Sequence, residues 1–264
     1  KKIMATIELD IWRGEWGLAS IDLECLKVLF RKLKKKISKN YLQHYSTDVH
    51  LNQKQAAEAS AFTQYLRDKL YPAYQFAWWV DEKNYGDVTR PTYAKALQIP
   101  FNFYYPSKYQ AMAKEMIDAL YGEYSDLKEI YNEAEKCLKT LSDRLGESEY
   151  FFGNRPSSFD ATVFAYLAPL VKTPFPNATL SSHVKGIANL SRFVARISQK
   201  NFRNVTDGKF CFFFHYSFKK LIDACNTRGI ASVLPTRSPI PPGALVTLLT
   251  NRNTILLENS IILL

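Results

Sequence analysis

The sequence lacks a cysteine framework. Only four cysteines occur in 264 residues. None belongs to a C-x-x-C pair; they are Cys25, Cys137, Cys211 and Cys225. Reduced, structural thiols are therefore predicted, and neither a disulfide framework nor a zinc site is expected. The sequence predicts no metal and no cofactor.

Long apolar runs are absent too. No stretch of 18 uninterrupted apolar residues is present, so no segment is predicted to span a bilayer as a helix. The two lysines that open the sequence are not followed by the apolar core of a secretory signal, and none is predicted. Membrane association is expected to be peripheral or to be mediated by a partner.

The net charge of +10 is concentrated at the two ends of the chain. Residues 55–198 carry 16 basic and 16 acidic side chains, and the only dense basic cluster is RKLKKK at 31–36. A nucleic-acid-binding domain should carry its cations along one folded face, so no nucleic-acid partner is predicted. The cluster at 31–36 is typical of a helix C-terminus, with an anionic membrane surface as the alternative interpretation.

Catalytic motifs are missing as well. The sequence contains no G-x-G-x-x-G, no phosphate-binding loop and no G-x-S-x-G. The histidines are scattered along the chain at His44, His50, His183 and His215. No catalytic, cofactor-binding or metal-binding residue is predicted.

What the sequence does contain is mostly helical periodicity. A strand is predicted at ATIELDI (5–11), then a loop, then a helix from Ile21 that carries Leu26, Leu29 and Leu33. A long helix bent at Pro72 follows, with apolar residues at Phe62, Leu66, Leu70, Ala73 and Ala77. The glycine and prolines between 85 and 106 predict a connection. Later helices are indicated by Met112 to Leu120, Leu127 to Leu145 with an end at Gly146, and Ile187 to Ile197.

A polar pair opens the most apolar helix of the chain. Within FFGNRPSSFDATVFAYLAPL (151–170), Ser157 and Asp160 are three residues apart. The Ser157 side chain is expected to accept from the Asp160 amide while the Asp160 carboxylate accepts from the Ser157 amide. Because the helix that follows is apolar on most sides, these amides have no access to water and need such a cap. An ordinary surface cap is the alternative.

An S-x-x-D cap on the most buried helix, preceded by a helical hairpin, resembles the C-terminal domain of the glutathione-transferase fold. Three segments in particular look like the metaxin family: IWRGEWGLASIDLECL (11–26), DKLYPAYQFAWWVDEKNYGDVTR (68–90) and CLKTLSDRLGESEYFFGNRPSSFDATVFAYLAPL (137–170). The W-x-x-x-W-G loop and the FFG-x-x-P-S-x-x-D block are the most specific parts. The resemblance covers roughly residues 7–200.

The resemblance implies a mainly α fold in three parts. Residues 53–200 would form the all-helical domain, residues 1–52 a truncated thioredoxin-like β-α remnant, and residues 201–264 an irregular tail. The truncation is indicated because no proline precedes Pro72 and because even one βαβ unit needs ~30 residues, more than the span from Lys36 to Gln53 allows. The remnant is expected to expose a sheet edge and an apolar face.

By the same resemblance, the chain would be a non-enzymatic component of the sorting and assembly machinery of the mitochondrial outer membrane. It would act in protein import and β-barrel insertion on the cytosolic face, with a role in mitochondrial transport as a further possibility. Its partners would be a second metaxin and the barrel-forming core subunit. The candidate interaction residues are Trp12, Trp16, Trp78 and Trp79, although aromatic side chains more often pack in a core.

Two alternatives remain open. In a cytosolic glutathione transferase, a Tyr, Ser or Cys near the end of the first strand activates the thiol, and Ser20 is what this sequence offers there. The simpler interpretation of Ser20 is a helix N-cap next to Asp22. A translation-associated scaffold is the other alternative, because related helical domains occur there.

Overall fold

The structure is a computed structural model that describes residues 8–9, 12–33, 48–97, 99–122, 127–202, 248–250 and 253–255. The fold is mainly helical, as predicted. The α-helices of the described residues are α1 (Leu23–Leu33), α2 (Gln53–Lys69), α3 (Tyr71–Gln75), α4 (Glu82–Asn84), α5 (Arg90–Ala96), α6 (Phe101–Tyr121), α7 (Leu127–Leu145), α8 (Ser158–Lys172), α9 (Thr179–Gly186) and α10 (Ala188–Asn201). Two π-helices, π1 (Phe76–Val80) and π2 (Tyr85–Thr89), flank α4.

Three short strands form an antiparallel sheet in the order β1 (Glu8–Leu9), β2 (Leu248–Thr250) and β3 (Asn253–Ile255). Glu8 pairs with Leu249, and Leu248 pairs with Ile255. Strands β2 and β3 belong to the segment predicted as an irregular tail, most of which lies outside the described residues. The span where a truncation is predicted falls largely on residues 34–47, which are also outside them.

Helix α8 is the centre of the core. Every residue from Phe159 to Leu170 is buried, because apolar or small side chains occupy almost every position of this helix. It packs against α1, α2, α9 and α10. A helix surrounded in this way cannot satisfy its end groups with water, so its first turn depends on a side-chain cap.

The predicted long helix is two helices. α2 ends at Lys69, and α3 begins at Tyr71 with Pro72 in its first turn. Proline is tolerated there because the first amides of a helix have no intrahelical partner. The apolar residues Leu66, Leu70 and Ala73 remain fully buried across the break.

The connection predicted between 85 and 106 is confined to the stretch between α5 and α6, and the rest of this range is helical. Residues 82–96 are helical through α4, π2 and α5, and Pro91 causes no break because it lies in the first turn of α5. Pro106 lies inside α6. Side chains pair with two carbonyls of π1: Thr89 Oγ1 donates to the Trp78 oxygen at 2.6 Å, and Asn84 Nδ2 donates to the Ala77 oxygen at 3.0 Å.

The cleanest predicted helix, α7, ends as its sequence indicates. Gly146 has a φ of +52° and its amide donates to the Ser142 oxygen at 2.9 Å, which is the left-handed C-terminal geometry that favours glycine. Ile130, Ala134, Leu138 and Leu141 of its apolar stripe are fully buried.

The predicted exposed apolar face of the N-terminal segment is not present where side chains are described. In α1, Leu23, Leu26, Leu29 and Phe30 are buried, because this helix packs closely along α8. The Phe30 ring lies 5.9 Å from the Phe164 ring, centroid to centroid. Helix α1 is thus integrated into the helical core.

Candidate functional site

The cap at the start of α8 has both of the expected hydrogen bonds. The Asp160 amide donates to Ser157 Oγ at 3.3 Å, and the Ser157 amide donates to Asp160 Oδ2 at 2.7 Å. The Phe151 amide also donates to Asp160 Oδ1 at 3.0 Å. Ser157 and Asp160 are 1% and 0% exposed, so this is a core cap and not a surface one.

The rest of the FFG-x-x-P-S-x-x-D block packs around that cap. The Phe151 ring makes edge contacts with Phe159 at 4.9 Å and with Phe193 of α10 at 5.6 Å. Gly153 has a φ of +103° and reverses the chain, so that Tyr150 and Gly153 pair as a bridge. The block therefore joins the end of α7, the start of α8 and α10, which is a structural task.

The W-x-x-x-W-G loop is bound to the helical body on both sides. Trp12 contacts Tyr93 with a centroid distance of 5.0 Å, and Trp16 contacts Trp78 at 6.3 Å. Lys172, at the end of α8, donates through Nζ to the Gly17 oxygen at 2.8 Å. Burial lowers the pKa of Lys172.

All four predicted interaction tryptophans therefore lie in one region, but they differ in exposure. Trp78 and Trp79 are 1% and 2% exposed, so the hypothesis that they contact a partner is wrong for this conformation. Their rings fill the core around Tyr93, which lies 4.8 Å from Trp79. Trp12 and Trp16 are half-buried and remain predicted interaction residues.

The transferase alternative places its chemistry at Ser20, which the structure buries completely. Ser20 Oγ accepts from the Asp22 amide at 3.2 Å, while Asp22 Oδ1 accepts from the Cys25 amide at 2.8 Å. The N-cap of α1 is therefore Asp22 and not, as predicted, Ser20. Of the two side chains, only the Asp22 carboxylate reaches an amide in the first turn of α1. A hydroxyl with no exposed surface cannot meet a thiol substrate in this conformation.

The groups around Ser20 are held in forms unsuited to nucleophilic chemistry. Burial is the main cause that raises the pKa of the Cys25 thiol well above its usual range, and the nearby Asp22 carboxylate adds to it. A thiol in that state carries little thiolate at neutral pH and is inert. Burial also raises the pKa of Asp22 from 3.8 to about 6. This buried acid was missed by sequence reasoning, which considered Asp22 only as a neighbour of Ser20.

A second missed feature is a pair of asparagines 93 positions apart. The Asn177 amide donates to Asn84 Oδ1 at 2.8 Å, and Asn84 Nδ2 donates to the Asn177 oxygen at 3.1 Å. Asn177 Nδ2 also donates to Asp81 Oδ2 at 2.7 Å. These bonds fix the segment after α8 to the π-helical region that carries Trp78 and Trp79. No local sequence signal indicates this pairing.

Comparison with known proteins finds metaxins among the relatives of this chain. Metaxin-1 of Bos taurus is 35% identical over 235 residues, covering 73% of this chain and 74% of the relative. Metaxin-3 of Danio rerio is 32% identical over 244 residues, covering 77% and 78%. The chain belongs to the metaxin family. A Drosophila melanogaster Metaxin-1 homolog is 31% identical over 240 residues, covering 74% and 72%.

Two family models match separate parts of this metaxin. Residues 134–197 match the C-terminal domain of glutathione S-transferases, a range that includes the Ser157 cap and the buried helix α8. Residues 27–110 match the outer mitochondrial membrane transport complex protein family. Membership in the metaxin family and the match of residues 27–110 support a role related to mitochondrial import at the outer membrane. They also point to a non-enzymatic role.

Over the described ranges, no group of three His, Cys, Asp or Glu side chains is placed to hold a metal ion. His183 lies 3.6 Å from Glu135, and His44 and His215 are outside the described residues. Of the helices in the described part of the chain, none combines the length and apolar character that a membrane crossing requires.

Proposed function

We propose that this chain is a non-enzymatic component of the sorting and assembly machinery of the mitochondrial outer membrane, acting in protein import and β-barrel insertion from the cytosolic face. The observation that carries the proposal is the similarity to metaxins across about three quarters of both chains. The match of residues 27–110 to outer-membrane transport complex proteins supports the same compartment. The partners would be a second metaxin and the barrel-forming core subunit.

The geometry supports a scaffold more than a catalyst. Ser20, at the position where a transferase would activate its thiol substrate, is fully buried, and the nearby Cys25 is held as a neutral thiol. The half-buried rings of Trp12 and Trp16 would contribute to a partner contact, because aromatic side chains supply much of the energy of protein interfaces. The division into 1–52, 53–200 and 201–264, with a truncated first part, belongs to the same proposal.

Fractionation of intact mitochondria tests the location and sidedness together. We expect the chain to sediment with mitochondria and to be digested by protease added outside, while matrix proteins stay intact. We also expect carbonate to release it, because no anchor is proposed. Crosslinking in intact mitochondria should capture a second metaxin and the barrel core subunit. Recovery in the cytosol with ribosomal partners would instead favour the translation-associated scaffold.

A glutathione-transferase-like enzyme is the second candidate, favoured by the match of residues 134–197. We expect the full chain not to be retained on immobilised glutathione, because Ser20 has no exposed surface. Ser20→Ala should leave the background rate of thiol conjugation unchanged. Ser158→Ala, which alters a hydroxyl outside that region, is the matched control. Specific elution by glutathione, or a conjugating activity that only Ser20→Ala removes, would overturn the non-enzymatic proposal.

A further inference from the structure

One corner of the structure exposes large apolar side chains in a cluster. Ile99, Phe103 and Tyr104 are 78%, 63% and 58% exposed, and they lie where the connection from α5 enters α6. Phe103 is within one turn of the connection, since its amide donates to the Pro100 oxygen at 3.2 Å. We call Ile99, Phe103 and Tyr104 the aromatic corner. Exposed apolar residues are ordinary when scattered, but a cluster indicates a contact surface.

The aromatic corner is supported from beneath by a row of rings. Tyr104 contacts Tyr105 with a centroid distance of 5.4 Å, Tyr105 contacts Tyr109 at 6.0 Å, and Tyr109 contacts the buried Trp79 at 5.4 Å. The row therefore connects the exposed Tyr104 ring to the core. Because Tyr104 is held by these contacts, less entropy is lost when its ring enters another apolar phase.

The charged residues nearest to the aromatic corner in sequence are basic. Residues 88–114 contain no aspartate or glutamate and four cations, all of them exposed: Arg90, Lys95, Lys108 and Lys114. Lys108 Nζ lies 5.7 Å from the centre of the Tyr104 ring, so a cation is next to one of the exposed rings. Over residues 55–198 as a whole the basic and acidic side chains are equal in number. Acidic side chains return immediately outside residues 88–114, at Asp87 and Glu115.

We propose that the aromatic corner, with Lys95 and Lys108 beside it, is the surface by which the chain contacts an anionic lipid bilayer. Rings and a branched aliphatic side chain enter the headgroup region, where amphipathic aromatics are favoured, while lysines extend toward lipid phosphates. Each lysine near an anionic surface strengthens binding severalfold at physiological salt. Lys95 and Lys108, the charged residues nearest to the corner on either side in sequence, are both basic and so complement lipid phosphates. This inference names the membrane-contacting face of the proposed outer-membrane component and rests on that function.

Flotation with vesicles tests this surface on the full chain. The probes are phosphatidylcholine vesicles and phosphatidylcholine vesicles containing phosphatidylserine. We expect binding to the anionic vesicles only, falling with added salt. Ile99→Ser/Phe103→Ser/Tyr104→Ser and, separately, Lys95→Glu/Lys108→Glu should each reduce the bound fraction by about tenfold or more. Since all five side chains are on the surface, circular dichroism and thermal melting should match the unchanged protein.

Matched controls separate this corner from apolar or basic surface in general. Val49→Ser/Leu120→Ser removes exposed apolar side chains elsewhere, at 73% and 59% exposure, and should leave flotation unchanged. Lys139→Glu/Lys185→Glu makes the same change in net charge on exposed residues of α7 and α9, and should reduce it less than twofold. Equal losses in the control and corner variants would overturn the proposal. So would corner variants that float normally but lose the crosslink to an outer-membrane protein.

The two levels of inference fail differently. If the chain is not mitochondrial in fractionation but the corner variants still abolish vesicle binding, the proposed function is overturned and the lipid surface stands. If the chain is on the outer membrane and the corner variants bind vesicles as well as the unchanged protein does, the proposed lipid surface is overturned and the proposed function stands.

Discussion

Replacing Asp160 with alanine is expected to destabilise the fold by about 3–5 kcal/mol. The Asp160 carboxylate accepts from the Phe151 amide at 3.0 Å, from the Ser157 amide at 2.7 Å and from Ser157 Oγ at 2.6 Å. Phe151 and Ser157 are each 1% exposed. The alanine variant leaves the Phe151 and Ser157 amides buried without an acceptor, and water cannot reach them to take the place of the carboxylate. Urea unfolding at neutral pH, followed by circular dichroism, measures the loss.

The chain provides its own control for this prediction. At the start of α2, Asn52 and Gln55 form the same reciprocal arrangement, with the Gln55 amide donating to Asn52 Oδ1 at 2.8 Å, but this cap is on the surface. Asn52→Ala is expected to cost only about 0.5–1 kcal/mol, because water can pair with the released amide. The loss of stability for Asp160→Asn should lie between those for Asp160→Ala and Asn52→Ala, because asparagine keeps one acceptor oxygen but brings an NH2 group against the Ser157 amide. Similar losses for Asp160→Ala and Asn52→Ala would show that burial does not set the strength of the cap.

These two caps also show what the sequence could predict. Both arise between residues three positions apart, so a local pattern followed by an apolar helix is sufficient to indicate the Ser157 cap. The end of α7 at Gly146 is predictable for the same reason. The cap of α1 was placed on Ser20 and not on Asp22, because both residues suit a helix start and only the fold determines which one reaches the first-turn amides.

Features that depend on residues far apart in sequence were not predictable. The pairing of Asn84 with Asn177 joins π-helical backbone to the segment after α8, and neither asparagine carries a local signal for it. Pro91 was interpreted as a break, although a proline in a first turn continues a helix. Trp78 and Trp79 suited an interface as well as a core by composition. Their place in the core depends on contacts with distant residues, with Tyr93 and Tyr109 for Trp79 and with Phe175 for Trp78.

Replacing Asp22 with asparagine is expected to stabilise the protein near pH 8 by about 1–3 kcal/mol. Asp22 is 5% exposed, and burial is the main cause that raises its pKa from 3.8 to about 6. This rise in pKa means that folding disfavours the ionised form of Asp22, relative to the protonated form, by about 3 kcal/mol. Asparagine keeps an oxygen for the Cys25 amide and is an equally good N-cap, but it carries no charge into the core.

The pH dependence has a definite sign. Between pH 3.8 and about 6 the folded protein keeps a proton on Asp22 that the unfolded chain releases, so this group favours folding at low pH and its contribution is lost as the pH rises through 6. The stabilisation by Asp22→Asn should therefore be largest above the folded pKa and should shrink toward zero near pH 4. Thermal unfolding of both proteins across this range measures the difference.

Glu24→Gln is the matched control, because Glu24 is also acidic and in the first turn of α1 but is only partly buried and pairs with Lys27 Nζ at 2.7 Å. Glu24→Gln should alter the free energy of unfolding by less than about 1 kcal/mol. This change should not grow between pH 4 and pH 8 as it does for Asp22→Asn. An Asp22→Asn variant that is less stable than the parent by the same amount at every pH would contradict the prediction. That result would mean that the folded pKa of Asp22 is close to its unfolded value, because the hydrogen bonds that the carboxylate accepts offset its desolvation.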